Sequence, residues 1–407
     1  MNQKFDIIIV GGGPVGASLA CALRGSALRV AVIEARPRAS EVPPSDNERT
    51  LALAFGARRI FEAIGAWSEI ERLGANPIER IHVSQRGRFG ATRLAAADIG
   101  LPALGYVVEN RVLGAALAQC LRDARNVSWF CPATVEDVQF HDATAQLTVQ
   151  QDGRDHALTA RLVVGADGAH SAVRRLSGIV AERRDYAQVA VVATVATSLP
   201  HQNTAYERFT DSGPLAALPM HAGRCAIIWS TRAADAEAML AWSDAEYLAR
   251  LQQRFGDRLG RFASPGARVQ YPLALTQVGE AVRPRLVLIG NAAHTLHPVA
   301  GQGFNLGLRD VAALAEVLVT ASAHEDIGTD AVLQRYGAWR ARDTRATEMF
   351  TDGLIRLFSN ELTPLALARG VGLVAVDVLP PLKRRLLSMT SGLAGRLPRL
   401  ARGLNIL

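Results

Sequence analysis

Three glycines near the amino terminus have the spacing that allows a turn to bind a pyrophosphate. Gly11, Gly13 and Gly16 fill the pattern GxGxxG directly after the apolar run FDIIIV. In such a turn the first glycine permits the tight bend, the second lets the backbone approach the phosphates, and the third lets helix and strand pack closely. The following helix would direct its N-terminal N–H groups at the phosphates. The predicted chemistry is therefore the binding of a dinucleotide.

An acidic residue follows at the distance that such a site requires. The second apolar run, RVAVIE, ends in Glu34, and an acid about 20 residues after the first glycine binds a ribose hydroxyl. Arg36 comes next and could reach an adenosine phosphate or form a salt bridge. GVGLVA, at residues 370–375, has a similar glycine spacing without a preceding strand, and we discount it. One dinucleotide site is predicted, at the amino terminus.

A middle segment repeats the order of apolar strand, small-residue turn and helix. RLVVGADGAHSAVRR covers residues 161–175 and carries Asp167 and Gly168 in its turn. Alone, this segment is as consistent with a plain connection between a strand and a helix as with a ligand-binding turn. Whether its turn binds a ligand can be judged only together with the other two segments.

A late segment also has the order of apolar strand, small-residue turn and helix. GNAAHTLHPVAGQGFNLGLRD, residues 290–310, follows the apolar run RLVLIG and leads into a helical pattern. Asn291 lies in its turn, and Gly301 and Gly303 come just before the helix. Uncovered backbone N–H groups near a helix start can accommodate an electron-rich group.

Together the three segments resemble the FAD-dependent aromatic hydroxylases in order and spacing along nearly the whole chain. The middle motif of that family is GADG, which stands here at residues 165–168. By this resemblance it lies near the FAD pyrophosphate and the path of the nicotinamide donor. The late motif of the family is Gly-Asp, whereas this chain has Asn291, an amide that forms hydrogen bonds without carrying charge. Asparagine is usual here in the ubiquinone-pathway branch, which YVVENRVLG and YERFTDSGPLAALPM also resemble.

The resemblance implies an activity. FAD would accept a hydride from NAD(P)H and react with O2, and one oxygen atom would pass to an electron-rich ring. Within the branch, the implied substrate is a polyprenylated phenol of the 2-polyprenyl-6-methoxyphenol class. Two alternatives stay open: a hydroxylase of a soluble aromatic compound, and a non-catalytic FAD-containing subunit of a membrane-associated quinone-biosynthesis complex.

The resemblance also assigns residues to the cofactor. Reduced flavin develops negative charge near N1, and a helix N-terminus carries about half a positive charge. The backbone at the start of the late helix is therefore expected against the pyrimidine edge of the isoalloxazine. Arg49 and Arg111 match arginine positions at the FAD site of the family. The complete set of predicted cofactor contacts is Gly11, Gly13, Gly16, Glu34, Arg36, Arg49, Arg111, Asp167, Gly168, Asn291, Gly301, Gly303, Phe304 and Asn305.

His294 and His297 are the candidates for a catalytic base. Imidazole titrates near neutral pH, and removing the phenol proton makes the ring a better nucleophile. The alternative is that both histidines hydrogen-bond the backbone and shape the loop. Pro298 matches a family proline beside the substrate ring, where a fixed φ would stiffen the pocket wall. The histidines lack metal-ligand spacing, so no metal is expected.

The order of the strand and helix patterns that position these residues, together with the family resemblance, predicts an α/β protein. Its main part would be a Rossmann-like FAD-binding domain of the aromatic-hydroxylase type. The segments of this domain are residues 1–79, 105–179 and 276–350. Residues 80–104 and 180–275 contain alternating or apolar runs separated by SGP and HAG, which predict an inserted antiparallel β-sheet domain for the substrate. The apolar composition of this inserted domain favours an apolar ligand over a small acid.

Residues 351–407 are predicted to be a helical, basic, amphipathic C-terminal tail. The chain has a formal net charge of +7, and residues 383–407 contain arginine and lysine but no aspartate or glutamate. From Leu386 onward, leucines recur every three or four residues, which is typical of a helix lying in an anionic membrane surface. The alternative is a tail packed on its own domain or on another subunit. Four residues interrupt the helical pattern: Gly392, Gly395, Pro398 and Gly403.

Composition narrows the class of protein and its expected partners. With 49% hydrophobic and 20% charged residues, the chain is globular. It shows no basic face interleaved with aromatic residues, so a nucleic acid is not an expected partner. Four isolated cysteines fit a reducing compartment, and we expect a cytoplasmic protein that contacts the inner face of the cytoplasmic membrane. The expected partners are the phenol, O2, the membrane surface through residues 383–407, and other quinone-biosynthesis proteins.

Overall fold

A computed structural model describes residues 3–37, 50–297, 301–358 and 363–407, and its strands form three sheets. The described strands are β1 Gln3–Val10, β2 Val30–Ile33, β3 Thr50–Ala54, β4 Asn76–Ile78, β5 Arg80–Gln85, β6 Ala91–Ala95, β7 Gly105–Glu109, β8 Val127–Phe130, β9 Thr134–Phe140, β10 Ala145–Gln151, β11 Arg154–Gly165, β12 Ala181–Thr197, β13 Thr204–Thr210, β14 Gly213–Pro219, β15 Arg224–Arg232, β16 Phe262–Ala263, β17 Val269–Val278, β18 Val282–Arg283, β19 Leu286–Leu288 and β20 His294–Thr295. The described helices are α1 Pro14–Leu23, α2 Phe55–Ala63, α3 Trp67–Gly74, α4 Asn110–Leu121, α5 Ala172–Leu176, α6 Ala233–Ala241, α7 Asp244–Phe255, α8 Gln302–Ser322, α9 Asp330–Phe358, α10 Thr363–Val378 and α11 Pro380–Thr390.

The first sheet is mixed, and its central strands have the parallel arrangement that the amino-terminal motif requires. Its main path is β18-β19-β11-β1-β2-β8, and β1 pairs in parallel with both β2 and β11. Both faces of β1 are covered from Ile7 to Val10, which explains the apolar run at these four positions. Ile7 and Ile9 pack in the cluster that contains α1 and α8, and Ile8 packs with the β9–β10 hairpin.

The second sheet contains nine strands, and its path runs β20-β17-β12-β15-β14-β13-β5-β6. Its pairs are antiparallel except that β13 runs parallel to β5. One face packs on α6 and α7 around Trp229 and Tyr247. The other face lines an internal cavity. Because β20 belongs to the late motif, that motif joins the two sheets.

A third, small sheet of β3, β7 and β4 completes the first domain. The cavity is bounded by this sheet, the second sheet, the start of α8 and the helices α9, α10 and α11. The predicted fold class, a Rossmann-like FAD-binding domain with an inserted β-sheet domain and C-terminal helices, is confirmed.

The carboxyl-terminal segment is not one continuous helix. α11 ends at Thr390, and the backbone of Gly392 is left-handed, with a φ of 70°. Leu400 is buried in the first core, and Leu393 and Leu397 pack against it. For these three leucines the structure favours the alternative in which the tail packs on its own domain, whereas Leu404 and Leu407 are exposed. Among the described residues, no helix is long and apolar enough to cross a bilayer.

This packing predicts different roles for two nearby leucines. Leu400→Ala should lower the free energy of unfolding by about 2–5 kcal/mol, since it opens a cavity in a close-packed core. Leu404→Ala is the matched control, because Leu404 is exposed, and its effect should stay within about 0.5 kcal/mol. Urea denaturation of both variants measures the difference. Equal effects would show that the segment does not pack as described.

Candidate active site

Three strands bring the three glycine-rich segments to one place. Val10 at the end of β1 pairs with Gly165 at the end of β11, and Gly165 pairs with Leu288 at the end of β19. All three strands are parallel, so their carboxyl ends lie side by side at the edge where doubly wound sheets bind ligands. The turns that begin at Gly11 and Ala166 are consequently neighbours.

Two of the three amino-terminal glycines are required by close backbone contact. A β-carbon on Gly11, whose φ is +101°, would lie 2.5 Å from the carbonyl oxygen of Ala166. A β-carbon on Gly16 would lie 1.9 Å from the carbonyl oxygen of Gly11. Gly13 is different, because nothing lies within 4 Å of its β-carbon position. This open position at the start of α1 is a cradle of the kind that a pyrophosphate fills, and it fits FAD.

Glu34 holds the first turn through its carboxylate. Its Oε2 accepts a hydrogen bond of 2.7 Å from the N–H of Gly12, and its Oε1 accepts one of 2.8 Å from the N–H of Arg36. A carboxylate oxygen has two lone pairs, so a ribose hydroxyl can still be bound. The side chain of Arg36 is exposed beside this site.

Asp167 in the middle turn has one carboxylate oxygen that accepts hydrogen bonds and one that accepts none from the described residues. Its Oδ2 accepts hydrogen bonds from the N–H groups of Ala172 and Val173 at the start of α5. Its Oδ1 is buried and has no hydrogen-bond partner among the described residues. A buried acceptor is normally satisfied, so this atom also fits a site that binds a group with hydroxyls. Gly168, with a φ of +86°, allows the chain to turn here.

The late segment is held by a buried carboxylate. Asp310 in α8 accepts hydrogen bonds from the N–H of Gly290 at 3.0 Å and from Nε of Arg340 at 2.8 Å. Its Oδ2 also lies 2.7 Å from Nε2 of His294. Burial opposes ionisation of Asp310, but His294 and Arg340 outweigh burial and hold its pKa well below the usual range. Arg340 also pairs with Asp343.

Neither candidate histidine is placed as a catalytic base by this geometry. His294 faces Asp310, so the structure favours the alternative in which it shapes the loop. His297 is buried with its ring edge-on to Tyr186, and burial lowers its pKa to about 4, which leaves the imidazole neutral and weakly basic at pH 7. Neither ring is among the described residues that line the cavity. Pro298 and Arg49 lie outside the described residues, so their predicted roles stay predictions.

Asn305 fixes the start of α8. Its Oδ1 accepts a hydrogen bond from the N–H of Ala54, and its Nδ2 donates to the carbonyl oxygens of Ala52 and Gly301. Gly301, whose φ is +61°, is the N-cap of α8. These contacts place the positive end of the helix at one end of the cavity, the position expected for the flavin ring. Gly303, which has open space at its β-carbon position, lies in the same first turn.

Three further predicted contacts lie away from the cavity. Phe304 packs partly against the first core. Arg111, in the first turn of α4, pairs with Glu109 at 2.7 Å. Asn291 is exposed in the short 3-10 turn Gly290–Ala292. The nearby carbonyl of Ala292 accepts a hydrogen bond from Arg174, which ties the middle segment to the late one.

The cavity has a volume of about 530 Å³, which is within the usual range for small-molecule sites. Its described lining is almost wholly apolar, and its charged members are Glu207 and Arg369. Among the residues that the structure describes, no group of three His, Cys, Asp or Glu side chains is arranged to hold a metal.

The sequence interpretation missed Glu207 and the network around Asp310. In TAYERFT, two-residue alternation places Glu207 with Ala205 and Phe209, which is a signal that could have identified it.

Comparisons with known proteins agree with this geometry. The FAD binding domain family model matches residues 4–351. The chain is 39% identical over 408 residues to ubiquinone hydroxylase UbiL of Rhodospirillum rubrum, covering 99% of this chain and 94% of that protein. It is 34% identical over 394 residues to 3-demethoxyubiquinol 3-hydroxylase of Escherichia coli, covering 96% and 100%. The crystal structure of p-nitrophenol 4-monooxygenase PnpA from Pseudomonas putida has the same fold, with a TM-score of 0.79 and 20% identity over 97% of this chain and 100% of that one.

The glycine turns and the parallel strands fit an FAD-binding fold, and the family model together with the hydroxylases among the relatives shows the class, an FAD-dependent monooxygenase of the aromatic-hydroxylase type. Relatives above 30% identity over nearly their full length specify the branch. The chain belongs to the FAD binding domain family and, within it, to the ubiquinone-pathway hydroxylases. Its cofactor is FAD.

The open position at Gly13 yields a direct prediction. Gly13→Ala should weaken FAD binding by about tenfold or more, or about 1.4 kcal/mol, because the added methyl group occupies the approach of the pyrophosphate. The melting temperature of the flavin-free protein should not change, since the backbone of Gly13 is ordinary, with a φ of −64°. Fluorescence titration with FAD measures the affinity.

The matched control for this variant is Gly353→Ala. Gly353 is exposed on α9, and nothing lies within 4 Å of its β-carbon position. This control should bind FAD as the wild type does. Wild-type affinity in Gly13→Ala would mean that the phosphates lie elsewhere.

Proposed function

We propose that the protein hydroxylates the aromatic ring of a polyprenylated phenol, of the 2-polyprenyl-6-methoxyphenol class, in ubiquinone biosynthesis, with NAD(P)H as electron donor. The observation that carries the proposal is the apolar cavity of about 530 Å³ that opens beside the N-terminus of α8. The names of the relatives UbiL and 3-demethoxyubiquinol 3-hydroxylase support the pathway. Ring and lipid tail would occupy one continuous cavity.

The distribution of charge in the cavity supports a lipid-like substrate over a small acid. Arg369 is the one cation in the described lining, and it is engaged away from the flavin end. Its Nη1 donates a hydrogen bond of 2.6 Å to the carbonyl oxygen of Leu357, and its guanidinium lies over the ring of Phe358. A soluble aromatic acid would require a cation for its carboxylate beside the flavin. The apolar walls instead suit a prenyl chain.

The chain's own residues would position the reactants. Bound FAD supplies hydride acceptance from NAD(P)H and the reaction with O2. Gly13 and the start of α1 would hold the phosphates, while the start of α8 would stabilise negative charge on the ring. The helices α9, α10 and α11 form part of the cavity wall and would limit the access of water to the ring that is oxygenated.

The reaction itself is tested with the purified FAD-loaded protein. NAD(P)H oxidation should be stimulated by a 2-polyprenylphenol, and 18O from labelled O2 should appear in the hydroxylated product. Label that comes from water would contradict a monooxygenase. Equal or better stimulation by a soluble aromatic compound would support the first alternative. The absence of turnover with any phenol, with FAD retained, would support a non-catalytic subunit.

A membrane surface would supply such a substrate, and α10 and α11 offer a face for it. The outer side of α10 and its junction with α11 expose large apolar side chains, whereas Gly372, Leu373 and Val376 of the same helix line the cavity. The exposed side chains are Leu367, Val371, Val378, Leu379 and Leu382. Helix α10 thus separates the substrate cavity from an exposed apolar surface.

The charges around this face complement an anionic bilayer. Arg384 and Arg385 are exposed on α11, next to the apolar side chains. Asp377, the one acid within α10 and α11, is already paired with Arg93 and Lys383. We therefore propose that this protein is cytoplasmic and binds the membrane peripherally. The contact with anionic lipid would be made by α10 and α11, rather than by the leucines of residues 391–407.

Vesicle binding tests this surface. The double variant Leu367→Glu/Val371→Glu should bind vesicles of phosphatidylglycerol and phosphatidylcholine at least about tenfold more weakly, because two apolar side chains that enter the lipid are replaced by charge. Leu404→Glu is the matched control, since Leu404 is an exposed leucine of the carboxyl-terminal segment, and it should bind as the wild type does. Sedimentation with vesicles measures both variants. Weaker binding of the control alone would place the contact in the carboxyl-terminal segment.

A further inference from the structure

The cavity contains one carboxylate for which the fold gives no structural use. Glu207 lies on β13, where it pairs with Val83 on β5 and with Ala216 on β14. Both neighbours are apolar and line the cavity. Among the described residues, this carboxylate has no hydrogen bond or ion pair, and desolvation is what shifts its pKa. Glu207 is half-buried in the wall of an apolar cavity, where a carboxyl group without a partner is unfavourable, so a role toward a ligand accounts for its presence.

The position of Glu207 along β13 places it midway along the sheet-side wall. Ala205 packs with Ile78 and Val107 at the end of the cavity nearest the third sheet. At the opposite end, Phe209 stacks on Phe358 with ring centroids 3.6 Å apart. Alternate residues of a strand are about 7 Å apart. Glu207 therefore lies between the flavin end and the aromatic far end, at a depth that a ring can reach while its tail extends toward α10.

The ionisation behaviour of Glu207 fits a proton acceptor at neutral pH. Burial raises the pKa of its carboxyl group to about 7. The other ionisable residues in the described lining are Tyr206 and Arg369, and neither shifts this pKa. A general base is most effective when its pKa is near the working pH.

We propose that Glu207 binds the hydroxyl group of the phenol in this cavity and takes its proton when the ring is oxygenated. The O–H bond of the phenol breaks, the proton moves to a carboxylate oxygen of Glu207, and the electron pair remains on the phenolate oxygen. The phenolate ring is richer in electrons and accepts the oxygen atom more readily. When the ring becomes aromatic again, the attacked carbon loses its hydrogen as a proton, which is taken up by the second oxygen atom of O2 as that atom leaves as water, and the proton on Glu207 returns to the phenol oxygen. This role rests on the proposed function, since it requires a phenolic substrate.

Ligand binding tests the proposal without turnover. The probes are 2-decylphenol and its methyl ether 2-decylanisole, which differ in the proton that Glu207 would bind. At pH 8, FAD-loaded wild-type protein should bind the phenol roughly 10- to 100-fold more tightly than the ether, the range expected of a hydrogen bond to a charged group. Glu207→Gln should lose most of this preference, and Glu207→Asp should retain part of it. Flavin fluorescence reports both affinities.

A pH profile tests the proton transfer. In the wild type, kcat for hydroxylation should rise with pH around 7. In Glu207→Gln it should fall by about 100-fold at pH 7, lose this rise, and recover only where the phenol itself ionises.

Glu237→Gln provides the matched control, because Glu237 is exposed on α6 away from the cavity. It should keep the wild-type binding ratio and pH profile. The proposal is overturned if Glu207→Gln, with FAD bound, keeps the wild-type preference for phenol over ether. If the preference is lost in the variant but no phenol is hydroxylated by the wild type, the proposed function fails while the assignment of Glu207 as a phenol-binding residue stands.

Discussion

The structure depends on the contact between two backbones at the carboxyl ends of parallel strands. Gly11 and Ala166 approach so closely that a β-carbon on Gly11 would lie 2.5 Å from the Ala166 carbonyl oxygen. This contact is possible because β1 and β11 pair in register up to Val10 and Gly165. The late turn joins the same edge through β19. The predicted FAD site thus depends on all three turns, and no single segment could form it.

Buried charge holds the third turn in place. Asp310 lies in the middle of an apolar helix and would be unfavourable there without partners. Gly290, His294 and Arg340 supply those partners, so the loop, α8 and α9 are fixed relative to one another. Removing Arg340 would take away the permanently charged partner of the buried Asp310 carboxylate, which is strongly unfavourable. The same α8 presents its N-terminus to the cavity, and the network therefore sets the position of the flavin end.

The glycine turns and the sheets were predictable because their signals are local. Apolar runs, glycine spacing and two-residue alternation each act within about ten residues. The partners of Asp310 lie 20, 16 and 30 residues away in the chain, and no local pattern identifies them. The leucines after residue 386 showed a real periodicity, but periodicity does not reveal what covers an apolar side chain. Leu400 is covered by the first core, whereas Leu367 and Val371 on α10 are exposed.

One FAD is expected to lie across the three turns with its ring at the apolar cavity. A crystal structure of the FAD-loaded protein with 2-decylphenol would locate both ligands. We expect the pyrophosphate at Gly13, the isoalloxazine against the first turn of α8, and the phenol hydroxyl facing Glu207. An isoalloxazine away from Gly301 and Asn305, or a phenol bound outside the cavity, would show that the three turns and the cavity do not form one site.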